Sequence, residues 1–129
     1  MPIRLRHDEG NLFRIDVRGM LRRDEFDQCQ RALARELEGG ATVRLLVILD
    51  RFEGWDARDD WRDLSFYVTH GDAIDRIAIV GPESWRAEML MFAGSDLRKA
   101  PVEFFAEDRL AQAGAWLCAG AGSIGNKTL

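Results

Sequence analysis

The chain has 129 residues, 47% hydrophobic and 31% charged, the balance of one globular domain long enough to bury a single shared core. Its formal net charge is −4, and residues 41–80 carry much of the excess, with five bases against eight acids. No basic face of the kind that neutralises phosphates is visible, so nucleic acid is not an expected partner.

Residues 3–7, IRLRH, alternate: Ile3 and Leu5 share one face, Arg4 and Arg6 the other. Residues 12–17, LFRIDV, alternate too, with Phe13, Ile15 and Val17 opposing Arg14 and Asp16. DEGN between them reads as a turn, which predicts an antiparallel hairpin ended by Gly19. From 23 to 38, Phe26, Cys29, Leu33 and Leu37 recur at helical spacing, with Asp24 and Glu25 suiting the positive end of the helix dipole. Gly39 and Gly40 stop that helix.

VRLLVILD, 43–50, is a continuous apolar run, the pattern of a strand buried on both faces. A helix is predicted over 57–70, with Ala57, Trp61, Leu64 and Val68 on one stripe. IDRIAIVG, 74–81, is a second buried strand, and Pro82 stands where a further helix begins, followed by Trp85, Met89 and Phe92. PVEFFA, 101–106, reads as a third such strand. Residues 107–118 form the last predicted helix, with Leu110, Ala113 and Leu117 facing inward. Residues 119–129 are small and polar and are expected to form a flexible tail to a single domain spanning 2–118. The order β-β-α-β-α-β-α-β-α predicts an α/β fold: a mostly parallel five-stranded sheet with one antiparallel edge strand.

The apolar run is interrupted after Met1 by Arg4, Arg6, His7 and Asp8, so no signal peptide is expected, and residues 45–49 are too few to span a bilayer. Cys29 and Cys118 both fall in helical patterns, which supports neither a disulfide framework nor a zinc site. The cytoplasm is the expected compartment, without membrane insertion.

The chemically unusual stretch is 49–61, LDRFEGWDARDDW. On a helical wheel, Asp56, Asp59, Asp60, Asp63, Tyr67 and His70 share one face, a set that would suit a divalent cation. Asp56 is better read as an N-cap, with the other acids favourable near the helix start and Arg58 and Arg62 balancing them. Hard-cation sites draw ligands from loops or several elements, so no metal is expected. Nucleophile–base pairs and phosphate-binding glycine motifs are lacking too, and His7 and His70 read as structural, so neither an enzyme nor a cofactor is expected. Trp55, Trp61, Trp85, Met89 and Phe92 suit a core, or alternatively a pocket for an apolar ligand between the helices at 57–70 and after Pro82.

With this element order, and with LLVILDRFEGWD, YVTH, RIAIVGPESW and VEFFAEDRLAQAGAWL in sequence, the chain resembles the SpoIIAA-like family of the STAS/SEC14-type superfamily over about residues 2–118. The resemblance implies helices largely to one side of the sheet. It also implies one of two functions. One is a protein-binding regulatory module of the anti-sigma-factor-antagonist kind, switched by a phosphorylated serine just after the central strand. The other is an apolar or lipid carrier of the SEC14 kind. The switch position falls in DRFEGWDARDD, which has no Ser or Thr, and Ser65 is the next hydroxyl downstream. A non-enzymatic interaction module lacking that switch is therefore the leading expectation. Its partner-binding loop is 50–56, with Asp50, Glu53, Trp55 and Asp56, and the identity of the protein partner is unknown. An apolar small-molecule or lipid carrier is the alternative. Because helices on one side would leave the second faces of 43–50 and 74–81 bare, part of that face is expected to be buried in a homo-oligomer.

Overall fold

The computed structural model describes residues 3–37, 42–56, 58, 74–92 and 101–126. The predicted helix at 57–70, and Trp61 with it, lies outside the described residues. Five strands form one sheet in the order β1-β2-β3-β4-β5: β1 Ile3–Glu9, β2 Leu12–Leu21, β3 Val43–Trp55, β4 Ile74–Gly81 and β5 Val102–Ala106. β1 pairs antiparallel with β2, and every other pairing is parallel. The architecture is the one the sequence predicts, an α/β sheet with a single antiparallel edge strand. Helix α1 spans Arg23–Leu37, α2 Arg86–Phe92 and α3 Leu110–Asn126, the last two each entered through a short 3₁₀ turn.

Alternation in the central strands sorts the core onto two faces. On the first, Ile15, Val17, Leu45, Leu49, Ile77 and Ile79 pack with Cys29, Leu33 and Leu37 of α1 and Met89 of α2. On the second, Leu46, Ala78 and Val80 pack with Ala113 and Leu117 of α3, both fully buried. The described helices are thus divided between the faces rather than gathered on one. The reason is in the strands: β3 and β4 are apolar on both sides, and the second side is covered from within the chain. On the face of which the sequence assigned part to another subunit, α3 covers Leu46, Ala78 and Val80, while Ile48 is half-buried.

Four elements differ from the sequence reading. β3 does not stop at Asp50; it continues to Trp55 alongside β2, which itself continues past Gly19 to Leu21. β5 is an edge strand in which Phe104 alone is buried, because a strand with one neighbour exposes more of both faces. Helical backbone in α3 runs beyond Cys118 to Asn126.

Candidate functional site

The segment that opened as an acidic loop is a parallel ribbon. Arg18 pairs with Asp50, Gly19 with Phe52 and Met20 with Gly54, so Arg51 and Glu53 are extra residues in β3, each making a bulge. Arg51 takes a left-handed conformation at φ 54°, Gly19 lies at 68° and Gly54 at 111°. Without bulges, Phe52 would face the second side with Asp50. The extra residue at 51 instead turns Phe52 into the first-face core, where it is 6% exposed beside Leu49. The ribbon is closed by the Asp56 N–H donating to the Leu21 carbonyl at 2.9 Å.

Phe52 seeds an aromatic cluster. Its ring stands edge-on to Trp55 at 5.1 Å and to Trp85 at 4.9 Å, Trp55 meets Trp85 at 5.9 Å and Phe92 at 5.1 Å, and Phe92 meets Phe26 of α1 at 5.1 Å. These are the offset and edge-to-face geometries that ring quadrupoles favour. Gly54 is required here twice over: its φ disfavours any side chain, and a Cβ would sit 3.2 Å from the tip of Trp85. The Trp55 Nε1–H is buried, with no hydrogen-bond acceptor among the described residues.

The four residues predicted to bind a partner divide sharply. Asp50 and Glu53 are exposed, and Asp50 makes a long 3.9 Å ion pair with Arg18, itself exposed, a contact of little energetic weight in water. Trp55 is half-buried in the aromatic cluster. Asp56 is 7% exposed. Its carboxylate accepts the Arg58 backbone N–H at 3.0 Å and the guanidinium at 3.0 and 2.8 Å, contacts that hold it well below the usual carboxylate range.

Of the residues assigned to an apolar pocket, Trp55, Trp85 and Phe92 come together in the cluster, and Met89 is buried on the same face. Sequence reasoning missed Phe26 and Phe52; the phase of Phe26 in the α1 stripe was the signal for the first, and a bulge hid the second. It also missed a cavity of about 100 Å³ between the sheet, α1 and α2, which Met89 and Phe92 line but Trp55 and Trp85 do not.

The His7 Nε2–H donates a 2.6 Å hydrogen bond to the Gly10 carbonyl, and the ring stacks on Phe13 at 4.7 Å. Among the described residues no three metal-ligating side chains gather, while Asp59, Asp60, Asp63, Tyr67 and His70 lie outside them. No described helix is long and apolar enough to cross a membrane.

The SpoIIAA-like family model matches residues 12–118, and the chain belongs to that family. Among solved structures it is similar to an uncharacterized protein of the DUF3478 family from Shewanella loihica PV-4, which has a SpoIIAA-like fold. The two share 21% identity with a TM-score of 0.69, over 90% of this chain and 92% of that one. At that identity the likeness concerns the fold. No curated protein matches the chain.

Proposed function

We propose that the protein is a non-enzymatic interaction module that presents the outer edge of the β2–β3 ribbon to a protein partner, without a phosphoserine switch. The observation that carries this reading is the bulged ribbon itself. Two extra residues hold Asp50, Arg51 and Glu53 outward on a base fixed by Phe52, Gly54 and the Asp56–Arg58 pair. A rigid charged rim around half-buried aromatics loses little entropy when it docks. Affinity purification from the native host should compare wild type with an Asp50→Arg, Glu53→Arg double variant, both side chains being exposed. Loss of a specific partner in the variant, with an unchanged melting temperature, is the expected result. Identical partner sets for the two proteins would remove this surface.

A second reading, a carrier of an apolar small molecule, rests on the cavity beneath α1 and α2. Native mass spectrometry of freshly purified protein tests it. A co-purified apolar adduct favours the carrier, and a clean apo mass counts against it.

A further inference from the structure

The cavity deepens the carrier reading, on which this inference rests, by specifying what fits. Its floor is the first face of the sheet, with Val17, Ile77 and Ile79 at 4%, 3% and 1% exposure. Leu33 of α1 and Met89 of α2, at 3% and 4%, form its walls. Among the described residues, Cys29 and Gln30 are the polar side chains of an otherwise apolar lining. The Cys29 thiol is pushed up to about 11 by burial, in keeping with dry surroundings. The half-buried rings of Phe26 and Phe92 line the same space and meet at 5.1 Å between α1 and α2.

Size decides the ligand class. At about 100 Å³ the space is about two-thirds of the roughly 150 Å³ apolar cavity that takes benzene or xenon. A small ring or short branched chain is therefore the upper limit, reached as the adaptable Met89 wall gives way, and an extended acyl chain exceeds it. We infer that the cavity between α1, α2 and the sheet binds one small apolar molecule of at most single-ring size. The adaptable Met89 wall lets the space fit such a molecule without moving the strands beneath.

Toluene and xenon are the probes. Toluene is expected to raise the melting temperature of the wild-type chain saturably by a few degrees, and dissolved xenon is expected to give a bound ¹²⁹Xe shift. Cys29→Leu, which fills the space from α1, should weaken the toluene effect at least tenfold. Should that variant fail to fold, Val47→Leu, placed in the lining but half-buried, should weaken it in the same direction. Absence of any toluene or xenon effect in wild type overturns the inference, as does an undiminished effect in the filled variants. A co-purified lipid that toluene does not displace would leave the carrier reading standing and overturn this site.

Discussion

Arg58 grips Asp56 twice, through its backbone N–H at 3.0 Å and through its guanidinium at 2.8 Å, while the Asp56 N–H is itself tied to Leu21. One aspartate thus joins the end of the ribbon to the chain that follows it. The carboxylate is nearly buried and the guanidinium largely in solvent, so the arrangement orders the chain without taking both charges out of water.

Asp56→Ala removes both grips and is expected to lower the melting temperature by roughly 2–8 °C, as loss of a capping side chain does. Asp56→Asn keeps an acceptor for the backbone N–H and should fall between alanine and wild type. The pH dependence has a definite sign. The folded-state pKa is depressed, mainly by the Arg58 side-chain hydrogen bond and next by its backbone N–H, so the stabilisation is fully present above the unfolded value of about 4. It is lost as the pH falls below that value. Melts from pH 7 to 2 should show the gap between wild type and Asp56→Asn constant down to about pH 5 and shrinking below about pH 4. A gap that widens on acidification would refute this role, and a melting temperature that rises with calcium would restore the metal reading.

Gly54 and Arg51 make opposite claims about the bulges. Gly54→Ala forces a side chain to φ 111° and 3.2 Å from Trp85, and should cost about 1–3 kcal/mol with altered tryptophan emission. Arg51→Gly relieves a left-handed Cβ, offset by the added freedom of the unfolded chain, and should stabilise by at most about 1 kcal/mol. Urea unfolding of the two variants checks both. A silent Gly54→Ala would mean that the ribbon does not pack on Trp85 as described.

The strands were legible in the sequence wherever alternation held. Ile3, Phe13, Ile15 and Val17 are buried as the pattern required, and Arg44 within β3 was absorbed by hydrogen bonds. Legibility failed at Asp50, because a bulged strand shifts its alternation by one at each extra residue and then resembles a loop. Arg51 and Glu53 gave no local sign of being unpaired insertions. The aromatic cluster was half legible. Trp55, Trp85 and Phe92 stood out as types, whereas Phe52 becomes a core residue only through the bulge before it. The placement of α3 was not legible: β3 and β4 are apolar on both faces, and that pattern was read as a seat for a second subunit rather than for the chain's own last helix.

The burial of Leu117 supplies a test between those covers. It is 0% exposed against the second face, so Leu117→Ala should cost about 2–5 kcal/mol and promote concentration-dependent association. Leu110, 41% exposed on the same helix, should tolerate alanine within about 0.5 kcal/mol. Sedimentation at micromolar concentration is expected to give 14.7 kDa for wild type and a heavier species for Leu117→Ala. A wild-type dimer would show that the covered face is not the one that self-associates.

The two thiols should separate kinetically. Cys118 is exposed, while burial raises Cys29 from 9.0 to about 11, leaving it about a hundredfold less thiolate near pH 8 before access is counted. A disulfide-exchange reagent at that pH is expected to titrate one thiol rapidly, and the second only on unfolding. Comparable rates would contradict the packing of α1 on the sheet.

Arg44 and Arg76 rise from adjacent strands to neighbouring carbonyls of α3. Arg44 donates to the Leu117 carbonyl at 2.8 Å, and Arg76 donates to that of Trp116 at 2.9 Å while lying 4.7 Å from the centre of the Trp116 ring. Apolar contact between a helix and a sheet resists separation but only weakly resists sliding, because one methyl group serves nearly as well as the next. Two guanidiniums aimed at consecutive carbonyls act as an index mark. Advancing or rotating the helix by one residue would misalign both at once, so its phase on β3 and β4 is chosen by charge-assisted directionality and its attachment by apolar area.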